Sequence, residues 1–167
     1  MARMQGRVEF VIKALEEAQV RYLIVGGVAV VLHGHLRTTL DLDLVIHLER
    51  ENLERALAAL AGLGFEPQAP VPLALFADPE RRRSWVREKN MTVFSLWNPK
   101  LQGFAVDLFV EEPFDFDVVF ARAVRVELPT TAARVVALSD LLALKRSAAR
   151  EQDLLDIEAF KSLGRES

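Results

Sequence analysis

Residues Tyr22–Ile46, YLIVGGVAVVLHGHLRTTLDLDLVI, constrain this chain more than any other stretch. Tyr22–Val25 is a β-rich run that stops at Gly26-Gly27, Val28–Leu32 stays apolar up to His33-Gly34, and Asp41–Ile46 alternates acid with apolar. The pattern predicts a strand, a short buried helix closed by a glycine, and a second strand. A period of two puts the Asp41 and Asp43 carboxylates on one face of that strand and Leu42, Leu44 and Ile46 on the other. Two like charges side by side cost stability unless a cation neutralises them. A divalent metal such as Mg²⁺ suits carboxylate oxygens and keeps positions open for phosphates. A solvated edge-strand face is the alternative for Asp-x-Asp alone. Glycines opening a helix let backbone N–H groups approach a phosphate, although a Gly-Gly pair by itself equally fits a plain tight turn.

The remainder supplies a scaffold. Val8, Val11, Leu15 and Ala18 have the spacing of one helix face, and so do Leu53, Ala56, Leu57 and Leu60 within Asn52–Leu63. Met91–Trp97 and Phe104–Val110 are rich in β-formers and end at Asn98-Pro99 and Glu111–Pro113. Asp140–Leu163 is a long helical region with a break expected near Arg150, and Glu66–Asn90, with four prolines at 67, 70, 72 and 79, is the least regular part. The order α-β-α-β-α-β-β-helix gives an α/β or α+β class. At 167 residues, with no repeat or linker, residues 1–167 are expected to form a single domain. The absence of Cys excludes a thiolate metal site or nucleophile, and a net charge of -3 excludes wholesale adhesion to nucleic acid. No apolar run approaches a bilayer span, and Met1–Phe10 has no signal-peptide core. A soluble, cytoplasmic protein without a membrane partner is the expectation.

Asp107 is the third acid of interest. It stands inside Phe104–Val110, flanked by apolar residues where an unpaired carboxylate is costly. It is either a metal ligand or half of an ion pair with an arginine. His33 and His35 at the end of the short helix read as structural, and Trp85 and Trp97 as core or pocket-wall residues. Arg81, Arg82 and Arg83, within the charged run Asp78–Asn90, form a solvated helix or hold an anionic acceptor such as RNA.

Gly26-Gly27, thirteen residues, then Asp41-Leu42-Asp43-Leu44, and later an acid within an apolar strand, together resemble the DNA polymerase β-like nucleotidyltransferase superfamily. Arg37-Thr38-Thr39-Leu40-Asp41-Leu42-Asp43 is similar to the AbiEii-toxin-type branch and its small relatives. Lys145-Arg146-Ser147-Ala148 and Arg150-Glu151-Gln152-Asp153-Leu154-Leu155-Asp156-Ile157 are similar to that branch's C-terminal motif. Antibiotic nucleotidyltransferases acting on aminoglycosides and lincosamides share the glycine pair, arginine and double acid. The resemblance implies a minimal nucleotidyltransferase fold, a mixed sheet with helices packed on one face plus a C-terminal helix. It also implies transfer of a nucleoside monophosphate from a nucleoside triphosphate to an acceptor hydroxyl on RNA, protein or a small molecule.

Within that resemblance Asp41, Asp43 and Asp107 are the catalytic and metal residues, for two Mg²⁺ ions or Mn²⁺. Gly26, Gly27, Arg37, Thr39 and Lys145 are the nucleotide contacts. A toxin–antitoxin setting with a small partner protein is one implied context, and antibiotic modification is another. A domain that binds nucleotide, RNA or a partner without turnover is the non-enzymatic alternative. Arg37 either grips phosphate through its fork of donors or pairs with Asp107 or another acidic neighbour. Lys145 lies eleven residues before Asp156, so an unbroken helix would bring both to one side. Asp153 and Asp156 are expected to organise Lys145 or Arg150 rather than bind metal.

Overall fold

The computed structural model describes residues 2–165. Its elements are α1 (Ala2–Glu17), β1 (Tyr22–Val25), α2 (Gly26–Leu32), β2 (Asp41–Ile46), α3 (Arg50–Gly62), β3 (Glu66–Pro67), a 3₁₀ turn (Leu73–Ala77), α4 (Pro79–Lys89), β4 (Val93–Trp97) and β5 (Ala105–Phe109). α5 (Phe116–Ala121), β6 (Val124–Glu127), β7 (Ala132–Val135), α6 (Leu138–Ala148) and α7 (Glu151–Ser162) follow. The strands form one mixed sheet in the order β3-β4-β5-β2-β1-β7-β6, with β2–β5 and β1–β7 parallel and the remaining neighbours antiparallel.

The register separates two faces. Leu42 and Leu44 pair with Val106 and Leu108, Leu108 pairs with Phe94, and all five are buried. Phe94 lies 5.1 Å from the Trp85 ring of α4 and 5.3 Å from Phe76 of the 3₁₀ turn. That turn touches α3, and α3 touches α1. One helical layer therefore covers the face opposite Asp41, Asp43 and Asp107, as an amphipathic arrangement requires. Val11, Ile12 and Leu15 of α1 and Leu53, Ala56 and Leu60 of α3 are fully buried in it. The expected mixed sheet with a helical face is borne out.

The break expected near Arg150 is present: the C-terminal helical region is two helices packed on each other, with Ala149 at φ +49° turning the chain between them. Two features differ from the sequence reading. The sheet gains β3, β6 and β7. β3 is only two residues long, β6 is an edge strand with three of four residues exposed, and β7 is half alanine, so none carries a clear alternating pattern. The irregular middle contains α4, started by Asp78, whose Oδ1 accepts from Glu80 N at 2.8 Å, with Pro79 at its first position.

Candidate active site

β1 and β2 pair antiparallel, so Val25, the last residue before the glycines, stands opposite Asp43. β2 and β5 pair parallel, so Asp43 stands beside Asp107 and Asp41 beside Ala105. Ser95 and Trp97 of β4 continue the same rows, opposite Asp107 and Ala105. Three carboxylates from two strands thus share one face, immediately below the start of α2.

Their electrostatics follow from that placement. Burial, then the charges of Asp107 and Asp41, push the Asp43 carboxyl up to about 7, against the pull of the Arg150 guanidinium and the Gly27 backbone N–H. Burial and the charge of Asp107 also raise Asp41. Asp107 forms no ion pair among the described residues, and its Oδ1 is a buried acceptor without a hydrogen-bond partner. Such an orphaned oxygen calls for a proton or a cation.

Among the described residues no three His, Asp or Glu side chains stand close enough to enclose a metal ion as they are. Like charges keep carboxylates apart until a cation is shared between them. The donor chemistry nevertheless fits a divalent ion: hard oxygens on one face, two of them held protonation-prone and a third unsatisfied.

The glycine pair is fitted to this cluster. Gly26 has φ +65°, and a methyl group there would lie 2.0 Å from Asp43 Oδ2. A methyl on Gly27 would meet Thr39 Oγ1 at 2.7 Å and Arg37 Cζ at 3.3 Å. Gly26, Gly27, Arg37 and Thr39, all expected nucleotide contacts, are therefore neighbours. We expect Gly26→Ala to cost on the order of 2–3 kcal/mol of stability, from the left-handed backbone and the overlap with Asp43. A thermal melt reads this directly, and an unchanged melting temperature would show that Asp43 does not rest on Gly26.

Arg37 Nη1 lies 2.6 Å from Asp156 Oδ2, so its acidic partner is an α7 residue rather than Asp107. Lys145, only 4% exposed, donates to Asp153 Oδ1 at 3.0 Å and Asp156 Oδ2 at 2.7 Å. The unbroken-helix geometry does not apply, because the two residues meet across the α6–α7 packing. Asp153 and Asp156 act as organisers, as expected. Arg150 Nε donates to Asp153 Oδ2 at 2.8 Å, and its guanidinium is exposed and acts electrostatically on Asp43. Arg150 is thus a cation whose charge reaches Asp43, which the sequence reading did not assign to the site.

The arginine run requires correction. Arg82 is buried, donates to the Phe76 carbonyl, stacks 5.6 Å over its ring, and is pulled below its ordinary value first by burial. Arg83 pairs with Glu80 on the surface. Arg82 and Arg83 border a cavity of about 460 Å³ with His47, Val110 and Glu112, past the C-terminal ends of β2 and β5 and away from Asp41. α4 packs on the helical layer, so Arg81, Arg82 and Arg83 do not form an acceptor patch beside the carboxylates. His33 is structural, its Nε2 lying 2.8 Å from the Val136 carbonyl, and His35 packs edge-on to Phe160 at 6.0 Å. Trp85 is core, whereas Trp97 is 43% exposed and lines a pocket. No helix among the described residues is long and apolar enough to cross a membrane.

No protein-family model matches the chain, and neither does any curated protein. Solved structures do resemble it. The lincosamide antibiotic adenylyltransferase LnuA, in its lincomycin-bound form, superposes with a TM-score of 0.61 at 16% identity, covering 94% of this chain and 96% of that one. ANT(2")-Ia in complex with adenylyl-2"-tobramycin superposes with a TM-score of 0.57 at 15% identity, covering 96% and 89%. Both neighbours belong to the DNA polymerase β-like nucleotidyltransferase superfamily. At this identity the likeness is one of fold: the described residues, with their seven-stranded mixed sheet, adopt a fold similar to that of nucleotidyltransferases.

Proposed function

We propose that this chain transfers a nucleoside monophosphate from a nucleoside triphosphate to an acceptor hydroxyl. The observation that carries the reading is the shared face of Asp41, Asp43 and Asp107 beneath the glycine-opened α2, within a fold common to nucleotidyltransferases. Asp41 and Asp43, with Asp107 completing the set, would hold Mg²⁺ or Mn²⁺. Bound there, the ions supply charge neutralisation of the triphosphate and acidify the acceptor hydroxyl. Gly26 and Gly27 let the backbone approach the β- and γ-phosphates, and Arg37 and Thr39 border them. Arg150 adds an exposed positive charge at the entrance. Lys145 acts through Asp153 and Asp156, fixing where Arg37 and Arg150 stand. The unpartnered Oδ1 of Asp107 accepts the acceptor's proton as the new oxygen–phosphorus bond forms at the α-phosphate. The bond from the α-phosphorus to the bridging oxygen breaks, and pyrophosphate leaves with that oxygen.

A small-molecule acceptor is favoured over RNA by two observations. The burial of Arg82 and the pairing of Arg83 remove two of the three arginines that RNA would have needed. The fold neighbours are, by their names, an adenylyltransferase for a lincosamide antibiotic and a protein holding adenylyl-2"-tobramycin. The C-terminal motif that suggested a toxin-type relative is here an ion network holding α6 to α7, so it says nothing of the acceptor.

The test is incubation with each α-labelled nucleoside triphosphate, Mg²⁺ and fractions of a small-molecule extract. The expected result is label in one low-mass fraction with pyrophosphate released in equal amount. Label in no fraction, together with no heat of nucleotide binding in Mg²⁺, would remove the reading.

A further inference from the structure

Beside Asp41 lies a cavity of about 270 Å³, walled by Leu40, Gln68, Trp97, Gln102 and Phe104. The Trp97 row continues through Ala105 to Asp41, so the indole stands on the carboxylate face two strands away from that acid. Trp97 is 43% exposed and Leu40 58% exposed. Large apolar side chains left open next to a polar site mark a binding surface rather than a fault in packing.

The wall is also preformed. Asn98, which follows Trp97, is buried; its Nδ2 donates to the Leu63 carbonyl at 2.9 Å and its Oδ1 accepts from Lys100 N at 3.0 Å. Leu101 N donates to the Asn98 carbonyl at 2.9 Å. Gly64, next to the Leu63 carbonyl that holds this amide, takes φ +92°, a left-handed conformation that glycine adopts without strain. A side chain held on such a turn loses little freedom on binding.

We propose that this cavity is the acceptor subsite and that it takes an uncharged, hydroxyl-bearing ring stacked on Trp97. The inference rests on the proposed transfer only in directing the ring's hydroxyl toward Asp41. Charge decides the class. The lining has one acid, Asp41, and no basic side chain; Arg7 stands at its edge, already engaged by the Gln102 carbonyl at 3.0 Å and the Phe104 ring at 5.9 Å. A nucleic-acid strand needs basic groups along its phosphates, and a polycation needs several acids. A neutral ring needs an aromatic face and a few amides, which Trp97, Gln68 and Gln102 provide. The volume suits one substituted ring and is below that of a typical drug-sized site.

The test uses the whole chain, with the ring titrations run without nucleotide or metal and nucleotide binding measured separately. The two indole N–H signals, from Trp85 and Trp97, are followed by ¹⁵N NMR, with Trp97→Ala identifying the second. p-Nitrophenyl β-D-glucopyranoside, a uridylate hexamer and tobramycin are titrated separately. The glycoside is expected to shift the Trp97 signal alone, and Trp97→Ala to weaken its binding about tenfold or more. Heats of Mg²⁺–nucleotide binding are expected to be the same in Trp97→Ala and the parent chain. A shift of Trp97 only with the hexamer, or only with tobramycin, would overturn the assignment, as would no shift with any probe. Failed nucleotide binding in the parent chain would instead strike the proposed transfer, and the glycoside titration would still report on the subsite.

Discussion

Asp43→Asn is expected to abolish nucleotide transfer while making the metal-free protein more stable at pH 8. The two effects share one cause. Asp43 is half-buried between Gly26 and Asp107, and its carboxyl is pushed up to about 7 by burial first and by Asp107 and Asp41 after it. An acid whose folded value lies above its unfolded one binds more protons folded than unfolded across the interval between them. The folded chain is therefore favoured below about pH 4 and loses that advantage as pH rises through about 7. Asparagine carries no charge and removes this loss. The gain at pH 8 is on the order of 2–4 kcal/mol, shrinking toward zero near pH 4.

Activity moves the opposite way. Removing one of the carboxylates proposed to hold the ions forfeits several kcal/mol of transition-state stabilisation, about a thousandfold in rate or more. Mg²⁺ should raise the melting temperature of the parent chain, since a ligand bound only by the folded state stabilises it, and should leave Asp43→Asn unmoved. Melts at pH 5 and pH 8 with and without Mg²⁺, run beside the transfer assay, settle each part. Retained transfer, or a variant less stable than the parent chain at pH 8 without metal, would contradict the account.

Lys145→Met is expected to destabilise the fold by about 3–5 kcal/mol, the cost of leaving buried carboxylates without their central cation. Lys145 Nζ sits between Asp153 and Asp156, which are 2% and 0% exposed. Arg37 still reaches Asp156 and Arg150 still reaches Asp153, but both guanidinium groups approach from the rim. Asp153 shows the balance: burial pushes its carboxyl up, and the hydrogen bonds from Arg150 and Lys145 outweigh burial and leave it below the ordinary range. That acid therefore stabilises the fold above its unfolded value and loses the contribution as pH falls through the depressed one, opposite in sign to Asp43. Denaturant unfolding measures the loss. Replacing both acids by amides in the Lys145→Met background should restore part of it, because a neutral buried group costs less than an unpaired charge. If Lys145→Met unfolds at the parental denaturant concentration and loses only nucleotide affinity, Lys145 is a direct contact and the network reading is wrong.

Much of this was legible in the sequence because it is local. The period of two in Asp41–Ile46 sorts acids from core residues before any partner strand is known, and in the sheet Asp43 stands beside Val25 and Asp107, and Asp41 beside Ala105. The apolar spacing in α1 and α3 reports burial for the same reason: a helix must hide one stripe wherever it packs. Arg81–Arg83 show the limit of local reading. Their composition signals a solvated helix, and α4 is largely that, with Arg81 and Arg83 exposed, yet Phe76 supplies a carbonyl and an aromatic ring that bury Arg82.

What the chain settled by itself was the acids' common face, the glycine break above them and the apolar stripes that must meet. What only the assembled sheet decided was company. Arg37 and Asp156 are 119 residues apart, and Trp97 joins Asp41 solely because β4, β5 and β2 lie side by side in that order. Side-chain periodicity is a property of a few consecutive backbone dihedrals. Strand order and helix docking are set instead by burying the whole apolar surface at once, and no short stretch of sequence carries that information.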